Sequence, residues 1–377
     1  MARATAAAGS RFRPAVEDLV PYEPGKPIEE LERELGLETI VKLASNEAPV
    51  GPFPAALEAL ARLSPGLNRY PDGGAFRLRA ALAERHGVRF EEIAPGAGAD
   101  GIVDGLSQAL LDPGDDVVCG WPSFPSYVID AMKMGAAART VPLDGRLAHD
   151  LEAMLEAIGE RTKLVYVCHP NNPTGTANGR DELAAFLARL PEHVLPVLDQ
   201  AYFEYAQGPD YADAVEEHFK TGRRVVVLRT FSKIYALAGL RVGYAVAPAD
   251  VVTALGKVRR AFDVTSAGQE AALASLGDIV EVERRRDENA KAMADLERIL
   301  RRHGLEPAAG AAGNFLYVEV GEDARAFYER LLEHGVIVRP LAGFGAPGAV
   351  RVTAGTPKDH AVLDAALSAV VGGAAPR

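Results

Sequence analysis

Through the middle of the chain, short apolar runs rich in β-branched residues alternate with longer segments whose apolar positions recur at helical spacing. Runs at 116–119, 138–142, 164–168, 194–198, 225–229 and 242–247 read as strands, since continuous apolar runs bounded by turn-formers suit strands buried on both faces. The helical period is clearest in FRLRAALAERHG (76–87) and DELAAFLARL (181–190). This alternation predicts an α/β fold whose large domain is a mostly parallel sheet covered by helices. After the charged helical stretch EVERRRDENAKAMADLERILRRHG (281–304) the pattern changes. A strand (FLYVEV), a helix (ARAFYERLLEHG), two short strands (VIVRP and AVRVTA) and a final helix follow, which predicts a smaller α+β domain. The expected organisation is a disordered leader over 1–14, an N-terminal segment over 15–50 associated with the small domain, the large domain over 51–275, and the small domain over 276–377.

Composition narrows the function. A chain of 377 residues, 48% hydrophobic and 25% charged, can bury a core large enough to divide in two. A net charge of −11 argues against nucleic acid and anionic membrane as partners and favours small molecules. Cys119 and Cys168 each sit in an apolar run, where buried free thiols are expected rather than a disulfide or a metal pair. The N-terminal MARATAAAGSRFRP has the arginines of a transit peptide but lacks the apolar core of a secretory signal, and no run of about 18 apolar residues could span a bilayer. The cytoplasm is the expected compartment.

Candidate chemistry collects just past the carboxyl ends of the expected strands, where open α/β sheets place their ligands. Strand 164–168 runs into His169–Gly175, strand 194–198 into Asp199 and Tyr202, strand 225–229 into Thr230–Lys233, and strand 116–119 into Trp121–Phe124. A lysine between a strand end and an apolar segment is readily desolvated, and a nearby cation such as Arg241 would depress its pKa further, as an imine-forming amine requires. Asp199 at a buried strand end needs a cationic partner, for which a protonated pyridine nitrogen or an arginine would serve. GAGADG (96–101) precedes a helical pattern, so its backbone N–H groups can receive a phosphate. It also matches G-x-G-x-x-G, but the next strand ends in Gly120-Trp121 rather than in an acid that could bind a ribose, so a dinucleotide site is not expected. Asn-Asn-Pro-Thr-Gly (171–175) reads as a turn.

Six ordered segments, KLASNEAPVGP (42–52), NRYPDGG (68–74), CHPNNPTG (168–175), LDQAYFEY (198–205), RTFSKIYALAGLRVGY (229–244) and VRPLAGFGAPGAVRVTAGTP (338–357), resemble the fold-type I aminotransferases dependent on pyridoxal 5'-phosphate (PLP). Within that family they look like the histidinol-phosphate aminotransferase group. The resemblance implies that Lys233 carries the cofactor as an imine and moves the proton during catalysis, and that Asp199 keeps the pyridine nitrogen protonated. It implies that Asn172 and Tyr202 bond the phenolic oxygen, that Phe124 stacks on the ring, and that Ser232, Arg241 and the backbone at Ala99 and Asp100 hold the phosphate. Tyr70 is expected to reach the phosphate of a neighbouring subunit, which implies a homodimer. Arg351 matches the arginine that binds the substrate anion through a bidentate fork, Arg339 a second phosphate-binding arginine, and Tyr22 a residue that closes over the substrate; a surface or interface ion pair is the other reading of Arg339.

The implied reaction is transfer of an amino group between L-histidinol phosphate and 2-oxoglutarate in histidine biosynthesis. Gly101, Ala48 and Phe124 depart from the usual motifs, and aromatic-amino-acid aminotransferases share nearly the same set, so phenylalanine or tyrosine stays open as the amino donor. A PLP-dependent decarboxylase acting on an amino-acid phosphate and a non-catalytic PLP sensor are further alternatives.

Overall fold

The computed structural model describes residues 11–17, 19–21, 25–37, 39–206 and 208–372. Residues 1–10, most of the expected leader, and Tyr22 lie outside them. In chain order the strands are β1 (Val41–Lys42), β2 (Ile93–Gly96), β3 (Asp116–Trp121), β4 (Ala137–Pro142), β5 (Thr162–Cys168), β6 (Leu195–Asp199), β7 (Val226–Thr230), β8 (Gly243–Val246), β9 (Phe315–Glu319), β10 (Val336–Ile337), β11 (Arg339–Leu341) and β12 (Ala346–Thr353). Seven of them form one sheet in the order β2-β8-β7-β6-β5-β3-β4, parallel except for β8, which runs against both β2 and β7.

The apolar runs form these strands because both faces of the sheet are covered. Val118, Val165, Val167, Leu198 and Val227 belong to one apolar cluster, while Val117, Leu164, Tyr166, Val197, Val226 and Leu228 belong to another. Neighbours along a strand thus feed opposite faces, and each such Val or Leu contributes about 1.5–3 kcal/mol by leaving water. Helix Ser126–Lys133, after β3, packs Tyr127 and Ala131 into the second cluster, whereas helix Arg180–Arg189, after β5, packs Leu183 and Phe186 into the first. The chain therefore leaves β3 and β5 toward opposite sides, which makes their carboxyl ends a switch point with an open crevice.

A third apolar cluster gathers Leu31, Val41 and Leu43 with Leu316, Val318, Phe327, Val336, Val350 and Leu363. Here β1 pairs with β10 in parallel, and β12 lies between β11 and β9 in an antiparallel sheet. Helix Ile279–Arg302 bridges the two regions. Its N-cap Asp278 accepts from the Glu281 N–H at 3.0 Å, its early Val282 packs into the first large cluster, and its late Leu296, Ile299 and Leu300 pack into the third.

The structure differs from the sequence reading in several places. β2 was missed because Ile-Ala-Pro-Gly reads as a turn; Pro95 is tolerated since β2 is an edge strand. VIVRP is two strands in different sheets rather than one. Asp199 lies inside β6 rather than after it, and β3 continues to Trp121. Within the expected leader, Pro14 opens a single helical turn over Pro14–Glu17.

Candidate active site

The site is assembled where β3, β5, β6 and β7 end. Asp199 continues the alternation of Leu195 and Val197, so its side chain falls on the face occupied by Tyr127, Tyr166 and Cys168. The Tyr127 hydroxyl donates to Asp199 Oδ2 at 2.7 Å and the Ala201 N–H to Oδ1 at 3.0 Å. Burial raises the Asp199 carboxyl above its usual range, and these two donors oppose that rise. Tyr127 is itself fixed by stacking on Tyr166, with ring centroids 4.4 Å apart, and by an edge contact to Phe124 at 5.6 Å.

Lys233 sits in a tight loop beyond β7. The Phe231 N–H reaches Val242 O at 3.1 Å, the Leu237 N–H reaches Phe231 O at 3.0 Å and the Ala236 N–H reaches Lys233 O at 2.9 Å. Phe231 and Ile234 plug into the large core on either side of it, which aims the lysine the other way. Its pKa falls to about 8, first through burial, then through the positive charges of Arg351 and Arg241. Arg241 was the expected cation; Arg351, far off in sequence, weighs more. The Lys233 Nζ lies 5.2 Å from the centre of the Tyr202 ring.

Beside the lysine is a cradle of donors. Helix Gly98–Leu110 begins there, with Ala99 and Asp100 in its first turn. A Cβ on Gly98, whose φ is +77°, would fall 2.7 Å from Arg241 Nη2, and one on Gly243 would fall 2.6 Å from the Ala99 nitrogen. Both glycines are therefore required for the guanidinium and the helix end to converge. Arg241 itself takes a left-handed φ of 52°, and its Nη1 stands 3.5 Å from Ser232 Oγ. A guanidinium, a hydroxyl and a helix N-terminus at one point suit a phosphate.

On the other side of the cleft Arg339 and Arg351 are directly opposed in the β11–β12 ladder and so project from the same face. Both are buried, and each guanidinium carbon is 5.4 Å from the centre of the Phe344 ring. Arg351 Nη2 donates to Ala44 O at 2.6 Å, and its Nη1 donates to the Asn172 side-chain oxygen. Like charges at a directly opposed pair repel, and a divalent anion between them relieves that repulsion. Burial raises the Tyr202 hydroxyl, which accepts from Asn46 Nδ2 at 2.8 Å.

The comparisons with known proteins agree with this geometry. The model of aminotransferase class I and II matches residues 38–370. The chain belongs to the class I and II aminotransferases. It is 44% identical over 363 residues to histidinol-phosphate aminotransferase 2 of Methylococcus capsulatus, covering 95% of this chain and 97% of that one. It is 47% identical over 349 residues to the histidinol-phosphate aminotransferase of Akkermansia muciniphila, covering 92% and 94%. Among solved structures, the histidinol-phosphate aminotransferase of Sinorhizobium meliloti in complex with pyridoxal 5'-phosphate superposes with a TM-score of 0.87 at 31% identity, covering 98% of this chain and all of that one. The α/β architecture expected from the strand pattern is that of the fold-type I enzymes.

Within this aminotransferase, the contacts and charges above link Lys233 to Tyr202 and Arg351 and Arg351 to Asn172, Asp199 acts electrostatically on Lys233, and Ser232, Arg241, Ala99 and Asp100 share the cradle. Phe124 is half-buried against Tyr127. Tyr70 stands apart, exposed and stacked on Phe262 with centroids 4.7 Å apart. Cys119 and Cys168 are buried free thiols. Sequence reasoning passed over Tyr127 and Asn46. Asn46 lay inside a quoted motif, whereas nothing marked Tyr127 among the apolar positions of its helix.

Proposed function

We propose that the aminotransferase moves an amino group between L-histidinol phosphate and 2-oxoglutarate, using PLP attached to Lys233. The observation that carries the substrate assignment is the opposed pair Arg339 and Arg351: two buried guanidinium groups on one face suit a phosphate monoester in one half-reaction and a dicarboxylate in the other. The relatives named above carry the same activity in their names.

The residues present fit the cofactor, since the glycine-lined cradle matches a phosphate and the buried, donor-supported Asp199 carboxylate matches a ring N–H. When bound, PLP supplies the electron sink for loss of the substrate α-proton. Asp199 holds a proton on the ring nitrogen. Lys233, with its depressed pKa, is poised near neutrality to take and return the α-proton as a neutral amine. Ser232, Arg241 and the start of helix Gly98–Leu110 fix the phosphate, Asn172 and Tyr202 orient the ring oxygen, and Phe124 covers the ring. Tyr22, outside the described residues, is proposed as a substrate-binding residue. The two substrates occupy the same arginine pair in turn, the first product leaving before the second substrate enters, which is ping-pong kinetics.

The proposed division assigns 51–275 to the large domain and 276–377 to the small one, with 15–50 joined to the latter as the β1–β10 pairing supports. A second copy of the chain completes the site. The exposed Tyr70–Phe262 stack, with Phe76 and Leu67 also exposed, supports that reading, in which Tyr70 reaches the partner's phosphate. No described helix is long and apolar enough to cross a membrane, and the cytoplasm is the proposed compartment.

The deciding measurement is kcat/KM for histidinol phosphate beside phenylalanine, in wild type and Arg339→Gln. Histidinol phosphate should be preferred, and the substitution should lower its kcat/KM by about 10²-fold while phenylalanine changes little, a loss in keeping with removing one charged bond to a dianion. A wild-type preference for phenylalanine would instead assign an aromatic aminotransferase.

A further inference from the structure

Asn46 is buried, takes a left-handed φ of 53°, and engages all four of its polar atoms. Its backbone N–H donates to Thr353 Oγ1 at 3.0 Å, and its carbonyl accepts from Asn314 Nδ2 at 3.2 Å. Its side-chain oxygen lies 3.0 Å from Thr353 Oγ1 and its Nδ2 lies 2.8 Å from the Tyr202 hydroxyl.

An N–H can only donate, so the Thr353 hydroxyl accepts from the Asn46 backbone and turns its own proton to the Asn46 side-chain oxygen. With the side-chain oxygen toward Thr353, the NH₂ end faces Tyr202. Tyr202 must then accept on that side, and its phenolic proton is directed elsewhere. Among the described residues no acceptor takes it, and the Lys233 Nζ lies 5.2 Å from the centre of the same ring.

We propose that Asn46 is a positioning residue: locked by Thr353, it keeps Tyr202 an acceptor on one side so that the tyrosine delivers its proton to an oxyanion in the Lys233 site. The inference rests on the reading of PLP at Lys233, whose phenolic oxygen is that oxyanion. Thr353 lies two residues beyond Arg351 on β12, so the polarity of Tyr202 depends on how the strand carrying the substrate arginine is seated. Binding at the arginine pair is thereby linked to proton affinity at the lysine.

The test reads the pH midpoint of the bound cofactor's absorption change, which reports how tightly the nitrogen of Lys233 holds its proton, together with cofactor affinity titrated into the apoenzyme. A hydrogen bond donated to the phenolic oxygen weakens that oxygen's pull on the nitrogen's proton and lowers the midpoint. Asn46→Asp presents only acceptors, so Tyr202 turns its proton outward. The midpoint should rise by about one unit and cofactor affinity should fall about tenfold. Asn46→Gly suits the left-handed backbone and leaves Tyr202 free to donate inward, so it should shift the midpoint by less than half as much. An unmoved midpoint in Asn46→Asp, or an equal shift in Asn46→Gly, overturns the proposal. If Asn46→Asp does not fold, Thr353→Val should raise the midpoint and Thr353→Ser restore it, and a wild-type midpoint in Thr353→Val overturns the proposal. A wild-type chain that takes up no cofactor overturns the functional reading along with this one; uptake with unmoved variants overturns this one alone.

Discussion

Around Lys233 the polar groups stand singly at the ends of strands in the seven-stranded sheet, whereas Arg339 and Arg351 stand side by side within a three-stranded ladder. The first region works through groups whose charge is adjustable. Burial pulls Lys233 down to about 8, where it can take and return a proton, and pushes Asp199 up, a rise that its two donors oppose. The second region uses guanidinium groups that stay charged throughout, and their contribution is shape and fixed charge. Chemistry and recognition are thus separated onto different elements, and the two meet where Arg351 bonds Asn172 and lowers the Lys233 pKa.

The comparison breaks most sharply at the lysine. Lys233→Ala should fold, bind PLP only non-covalently, and lose more than about 10⁴-fold in turnover, since it removes both the attachment and the proton carrier. Circular dichroism, the absorption spectrum and single-turnover kinetics check the three parts, and substantial turnover in this variant would remove Lys233 from the chemistry altogether.

A smaller effect is expected across the cleft. Arg351→Lys keeps the charge but loses the planar fork that reaches Ala44 and Asn172, and a compact ammonium cannot hold both partners and a substrate anion. The kcat/KM should fall by roughly 10²-fold for amine and oxo-acid alike, in line with the cost of one or two charged hydrogen bonds. Cofactor affinity should change far less. An equal loss of cofactor affinity would mean that Arg351 belongs to the lysine side of the site.

The two regions also differed in how much of them the sequence revealed. Strand β3 and strands β5 to β8 announce themselves as apolar runs because both faces are buried, and with them came the positions of Asn172, Asp199, Tyr202 and Lys233 at or just past strand ends. The chemistry of a desolvated lysine beside Arg241 could be argued from spacing alone. The arginine pair could not be placed that way, because the register setting Arg339 opposite Arg351 is a property of the β11–β12 pairing, and the apolar pattern merged β11 with β10. Resemblance supplied those residues where physics did not. Tyr127 stayed hidden because a tyrosine at an apolar helical position reads as core, which it also is. Asn46 stayed hidden because its partners are contributed by segments 156 and 307 residues away.

The smallest expected effect tests whether Lys233 is tuned by its surroundings before any cofactor arrives. Its amine is held at about 8 against an ordinary 10.5. Between those values the unfolded chain keeps the proton and the folded one does not, so the unfolded state binds more protons and the folded state gains stability as pH rises through this window. Below about 8 the amine is charged in both states and its destabilisation is fully present. Lys233→Met removes the group. The apoenzyme variant should therefore melt above the wild type at pH 7, with the gap narrowing as pH approaches 10, and scanning calorimetry at matched ionic strength measures it. A gap independent of pH would mean that the amine is solvated in the apoenzyme, and the cofactor rather than the fold would then do the tuning. Arg351→Met should narrow less over the same window, since the guanidinium itself does not titrate and its removal relieves only its own share of the Lys233 shift, and that contrast separates the charge that titrates from the one that biases it.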